Sequence, residues 1–234
     1  MADKITIKVT DHGPYEVKGA DSITIKTITA NEEGESWTYT DGKSFPLNPQ
    51  ASYLCRCGHS ANKPFCDGTH AKVHFNGHET ASHVPYMQAA DKQRGRLATL
   101  TDQENLCAYG RFCDARGQIW NLAVSGSPED VKMAEREASL CPSGRLQVWD
   151  LHLHNQLNAE PNTQELALIE DPQTNCSASI WARGGVEVSS AQGQAYEVRE
   201  RMTLCRCGYS SNKPFCDGSH ASAKWKDGLT EEVG

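Results

Sequence analysis

One stretch occurs twice in this chain, and it constrains the fold more than any other feature. Cys55-Arg-Cys57-Gly-His-Ser60-Ala-Asn-Lys63-Pro64-Phe-Cys66-Asp67-Gly68-Thr69-His70 returns as Cys205-Arg-Cys207-Gly-Tyr-Ser210-Ser-Asn-Lys213-Pro214-Phe-Cys216-Asp217-Gly218-Ser219-His220. Each residue of the first copy lies 150 positions before its counterpart. Three thiols and one imidazole at a fixed spacing form a metal-site pattern, and here it is duplicated.

The setting favours metal ligands over cross-links. Ten cysteines are present, yet the start Met1-Ala-Asp-Lys-Ile-Thr-Ile-Lys-Val-Thr has no apolar core of signal-peptide length. No stretch approaches the roughly 18 apolar residues of a membrane span. A cytoplasmic chain without a membrane partner is therefore expected, where clustered thiols stay reduced. Neighbours in Cys-x-Cys bridge only with strain. A formal net charge of -7 leaves no basic stripe for a nucleic-acid partner. With 38% hydrophobic residues in 234, one large domain or a few small ones can each bury a modest core.

Read in order, the chain predicts two short-stranded β units around an insert. Ile5–Val9, Tyr15–Lys18 and Ser22–Lys26 alternate as strands, and the polar run from Asn31 to Gln50 reads as hairpin and loop. Tyr53-Leu54 leads into the first motif, which closes a unit spanning 1–85. The segment 86–160 holds a helix start at Thr101-Asp-Gln-Glu104 with capping-box spacing. A stronger start at Ser127-Pro-Glu-Asp130 opens a helix over about 128–140, stopped by Cys141-Pro142. Gln147–Leu153 and Leu166–Ile169 read as strands separated by a polar loop containing Pro161. Over 161–234, Ile180-Trp181, Val186–Val188 and Tyr196–Val198 rebuild a β unit that delivers Thr203-Leu204 into the second motif. The fold class expected is mainly β with a small α/β insert, two β units forming an internal pseudo-dimer.

The motif itself is a pair plus a pair. Cys-x-Cys sets two sulfurs on one side of an extended turn, a bite that suits one metal atom. A helical turn opening at Asp67 or Asp217 would bring Cys66 to His70, and Cys216 to His220, on one face. Two pairs fit a two-metal cluster. Cys3His is also a zinc set, although zinc fingers favour the wider Cys-x2–4-Cys.

The pattern Cys-x-Cys-x2-Ser-x3-Pro-x-Cys-Asp-Gly-Ser/Thr-His resembles the CDGSH iron-sulfur (NEET) family, and both copies match it without a gap. The likeness extends upstream to Gly13–Gly19 and Ile180–Gly185, similar to the family's leading strand. It implies two [2Fe-2S] clusters, with Cys55 and Cys57 on an inner iron and Cys66 and His70 on an outer one. Cys205 and Cys207 would pair likewise against Cys216 and His220. Single-motif members dimerise, so a two-motif chain is expected to be a monomer with internal pseudo-two-fold symmetry.

One histidine in place of a thiolate removes a negative charge and raises the potential above that of an all-cysteine site. Imidazole is also the one ligand that takes a proton near neutral pH. Two functions follow: one-electron transfer with a redox partner, or release of cluster or iron to an apo-acceptor protein. No nucleophile and base stand out, nor a phosphate loop, so an enzyme is not expected.

Around the ligands, Ser60 and Ser210 are placed to bond a sulfur or to make an ordinary turn. Asp67 and Asp217 are placed to cap the turn that carries the histidine. Lys63 and Lys213 add positive charge or are merely solvated. Between the units, Cys107-Ala-Tyr-Gly-Arg-Phe-Cys113 and Cys141-Pro-Ser-Gly144 resemble a divergent ferredoxin-like segment and form a candidate third site. Its fourth ligand would be Cys176 or a non-cysteine group, and the plainer reading is buried reduced thiols. His152 and His154 share a strand face and read as an exposed pair. His59, His74, His78 and His83 read as surface groups.

Overall fold

The computed structural model describes residues 4–159 and 163–230. Pro161, in the expected polar loop, is among residues 160–162, which lie outside the described residues. Strands follow in chain order: β1 Thr6–Val9, β2 Tyr15–Lys18, β3 Ser22–Ala30, β4 Ser36–Pro46, β5 Ser52–Leu54, β6 Asp91–Arg94, β7 Ala98–Asp102, β8 Leu146–Asp150, β9 Glu165–Asp171, β10 Cys176–Arg183, β11 Glu187–Ser189 and β12 Arg201–Leu204. The fold is mainly β, and its α/β insert is the sheet β6-β7-β8 with a helix over Pro128–Leu140.

The two larger sheets exchange a strand. One runs β11-β1-β2-β5 and the other β12-β10-β9-β3-β4. In each, three antiparallel strands of one unit accept a parallel strand from the other: β11 lies along β1, and β3 along β9. β1, β2, β3 and β5 thus correspond to β9, β10, β11 and β12, which makes the two units a strand-swapped pseudo-dimer. β4 has no counterpart. It comes from the polar run that the sequence assigns to hairpin and loop, and it pairs with β3 over Ser22–Ala30 because that strand continues past Lys26.

Alternation explains the core. Ile7, Val9, Tyr15, Val17, Ile23 and Leu54 of the first unit bury the same sheet faces as Leu168, Ile180, Val188, Met202 and Leu204 of the second, so one apolar cluster spans both. Burial at this scale is worth roughly 1.5–3 kcal/mol per large side chain. The two units therefore share one core.

The insert differs from the expectation at one end. Ala98–Asp102 is a strand, and a 3-10 turn, Glu104–Leu106, follows it directly in place of a helix. Pairing of β7 with both neighbours outweighs the capping-box signal there. Tyr196–Val198 is also not a strand: Tyr196 sends one backbone N–H to Val188, and only Ala195 forms a bridge, to Ser189. At the long helix the signals hold. Ser127 Oγ accepts from the Asp130 N–H, Pro128 begins the helix, and Val131, Ala134 and Ala138 face β7 and β8.

Glu137 sits on that buried face with neither carboxylate oxygen hydrogen-bonded among the described residues. Burial, reinforced by Asp114, pushes its carboxyl up to about 8. The native state keeps a proton that the unfolded chain sheds above its usual value, so stability is lost as pH rises toward 8. Glu137→Gln should match the wild type near pH 4 and exceed it by roughly 2 kcal/mol at pH 7, as read by thermal melts across pH.

Candidate metal centres

Each motif closes on its own strand by the same bonds. In the first, Cys55 N–H donates to Pro64 O at 2.8 Å and Cys66 N–H to Tyr53 O at 2.8 Å. In the second, Cys205 N–H reaches Pro214 O and Cys216 N–H reaches Thr203 O, each at 2.9 Å. Both Lys-Pro bonds, 63–64 and 213–214, are cis. The four backbone hydrogen bonds pin each loop at both ends to the strand that enters it.

The donors meet in twos. Cys55 and Cys57 sulfurs are 3.8 Å apart, and Cys205 and Cys207 3.7 Å. Cys66 Sγ lies 3.3 Å from His70 Nδ1, and Cys216 Sγ 3.3 Å from His220 Nδ1. Among the described residues no three Cys, His, Asp or Glu side chains close on one point. Each motif thus presents two donor pairs rather than four donors gathered around one point.

The local turn explains the second pair. Gly68 and Gly218 take φ of 85° and 84°, and the helical turns Thr69–Lys72 and Ser219–Ser222 follow directly. Asp67 accepts the Thr69 and Ala61 N–H groups, and Asp217 accepts those of Ser219 and Ser211. Both aspartates therefore tie the turn carrying the histidine back to the loop. The Ser60 and Ser210 hydroxyls donate to Phe65 and Phe215 carbonyls at 2.6 and 2.7 Å. It is the serine backbone N–H that faces the Cys55 and Cys205 sulfurs. The Lys63 and Lys213 ammonium groups bond the Ser60 and Ser210 carbonyls in the same loops.

Electrostatics let one thiol of each Cys-x-Cys pair ionise more readily than the other. The Cys57 S–H and nearby backbone N–H groups pull Cys55 down to about 6, while losing the second proton is opposed by the first thiolate and by burial. The second site repeats this more strongly, and burial also pushes Cys216 up. Burial, with Arg206 next, lowers His220 to about 4, so its imidazole is neutral at pH 7 and free to ligate.

Several residues that build the sites were not anticipated. Gly58 and Gly208 adopt φ of 82° and 86°, and a Cβ on either would lie 2.4 or 2.5 Å from the carbonyl oxygen of Cys207 or Cys57. The two Cys-x-Cys-Gly loops thus touch back to back across the pseudo-two-fold. Trp225 packs on Cys205 and Cys207 and donates to Gly58 O. Tyr15 sends its hydroxyl across the units to the Cys205 and Pro214 carbonyls. Arg56 and Arg206, the middle residues of both Cys-Arg-Cys triplets, are buried. Their recurrence in both copies was the available signal.

The insert brings Cys107, Cys113 and Cys141 to one cavity with Arg145. Burial pushes Cys113 up to about 12. Cys176 lines a different cavity, with Thr27 and Glu170, and its sulfur meets Thr174 Oγ1 at 2.9 Å. The donor set is one thiolate short of the four that an all-cysteine [4Fe-4S] group takes. His152 and His154 stack at 5.9 Å on an exposed turn after β8. His59, His74 and His78 are exposed, and His83 stacks on Tyr196.

Residues 12–71 and 177–221 match the family described as iron-binding zinc finger, CDGSH type. Residues 94–151 match a divergent 4Fe-4S mono-cluster family. No curated protein and no solved structure matches the chain.

Glycine at the contact between loops should be far less replaceable than glycine at the outer turn. Gly68 has no atom within 4 Å of a Cβ position, so Gly68→Ala costs only the left-handed backbone, roughly 1–2 kcal/mol. Gly58→Ala must also separate the two loops and should lower the melting temperature several-fold more. Equal shifts in paired thermal melts would contradict the back-to-back packing.

Proposed function

Because the chain is an iron-sulfur protein carrying two domains of the CDGSH family around a divergent 4Fe-4S-type segment, we propose that it holds two [2Fe-2S] clusters and acts in one-electron transfer. When bound, such a group supplies a one-electron couple. Cys55 and Cys57 would hold its inner end at the first motif and Cys66 and His70 its outer end. Cys205 and Cys207, with Cys216 and His220, serve the second in the same way. No catalytic residues are assigned.

The observation that carries this reading is the reciprocal contact of the two Cys-x-Cys-Gly loops, Gly58 against Cys207 and Gly208 against Cys57. It supports placing the two inner ligand pairs as neighbours within a single chain, which suits passage of an electron between them. Rigid loops, pinned by Asp67 and Asp217 and by the strand bonds, keep the ligands in place through a change of charge. On this reading the partner is another redox protein, met by a monomer in the cytosol. No helix among the described residues is long and apolar enough to cross a membrane.

A second reading, release of cluster or iron to an apo-acceptor, is favoured at the first motif, where Cys66 and His70 are half-buried and Gly68 is uncovered. One experiment separates the two. Holo-protein reduced with dithionite and freed of excess reductant is mixed anaerobically with ferricytochrome c and, separately, with an apo-ferredoxin. Electron transfer predicts stoichiometric cytochrome reduction with the visible spectrum of the oxidised protein recovered in full. Bleaching with iron appearing in the ferredoxin would replace the first reading with the second, and His70→Cys should then slow the loss at least tenfold.

A further inference from the structure

The two motifs match residue by residue, but their surroundings do not. Arg56 is 1% exposed, and all three of its hydrogen bonds go to carbonyl oxygens, those of Thr10, Gly13 and Gly77. Among the described residues no carboxylate meets it. Arg206 is equally buried and bonds the Ala178 and Ile169 carbonyls, but its remaining donors meet the Asp227 and Glu170 carboxylates. Gly77 stands 150 positions before Asp227, so one glycine-for-aspartate difference sets much of the contrast. Burial alone would raise the Asp227 carboxyl, yet Arg206 and the Leu229 N–H hold it below its ordinary range. Burial pushes Glu170 up to about 7 against the pull of Arg206. The residue between the two inner cysteines is therefore a buried cation with no carboxylate partner among the described residues in the first motif, and a neutralised one in the second.

Access to water differs in the same sense. His70 is half-buried and His220 is 2% exposed. At Gly218 a Cβ would lie 3.2 Å from Tyr109 Cβ and 3.3 Å from Cys107 O, whereas Gly68 has no neighbour. The Lys213 carbonyl accepts from Thr80 and Ala81 N–H groups, and Asn212 donates to Asn105 O. The insert and the linker before it thus cover the outer ligands of the second motif and leave those of the first open.

Each [2Fe-2S] group with three thiolates and a neutral imidazole carries one negative charge when oxidised and two when reduced. An uncompensated cation and contact with water favour the added charge, whereas carboxylates and burial oppose it. Both differences act in one direction. We infer that the first site takes up an electron before the second, and that the second is held at a lower potential by Asp227, Glu170 and the covering insert. With dithionite as donor, the reductant gives up one electron to the first site, and a further electron then reduces the second.

This rests on the reading that each motif holds a [2Fe-2S] group, so iron and sulfide are measured first; about two iron or fewer per chain would overturn that reading and this inference with it. Holo-protein is then titrated anaerobically with dithionite and followed by EPR. Two resolved one-electron steps are expected. His70→Cys should shift only the upper step downward, and His220→Cys only the lower. Asp227→Asn should move the lower step toward the upper and leave the upper in place. A single unresolved step in the wild type, or an upper step that moves with His220→Cys, would overturn the inference. Should Asp227→Asn fail to fold with Arg206 unpaired, the wild-type titration and the two histidine variants still decide it.

Discussion

The structure turns on the contact between two backbone loops. Gly58 and Gly208 let the chain pass so close to the opposite Cys carbonyl that no side chain fits between. This approach is reciprocal, so it fixes a pseudo-two-fold axis between the inner ligand pairs. The exchanged strands β3 and β11 and the shared apolar cluster serve to hold the loops at that distance. Shifting either loop outward would expose Trp225, which seals Cys205 and Cys207 and reaches across to Gly58 O.

On this frame the insert has a steric consequence for only one site. Its Cys107–Tyr109 segment lies over Gly218, and Asn105 is bonded by Asn212. Among the described residues, none comes within 4 Å of a Cβ at Gly68 in the first motif. A duplicated sequence thereby becomes two different environments, because everything inserted between the copies has to pack somewhere and packs on the second. The arginine between the cysteines shows the same divergence, neutralised by Asp227 in one copy and facing the Gly77 carbonyl in the other.

Much of this was legible in the sequence. Period-two alternation marked β1, β2 and the first part of β3, and Ser127-Pro128 marked the helix start, because each rests on local chemistry. The strand β4 was not legible, since its residues are polar and its pairing is supplied by β3 from across a turn. The capping-box signal at Thr101 misled for a related reason: two neighbouring strands claim that backbone first. At the sites, ligand spacing is local and readable, and so is the role of Asp67. The back-to-back approach of Gly58 and Gly208, the exchange of strands and the Tyr15 bond to Cys205 join residues over 140 positions apart. No pattern within either copy encodes them. Arg56 and Arg206 lay in plain view within the repeat, but their unequal partners come from strands and loops outside it.

The account stands on the identity of the group that each pair of donor pairs holds. Anaerobic iron, zinc and acid-labile sulfide analysis of the purified holo-protein, together with a Mössbauer spectrum, tests it most directly. The account predicts about four iron and four sulfide per chain, with each cluster showing two unlike ferric environments, one of sulfur alone and one including nitrogen. About two zinc per chain without sulfide would contradict it.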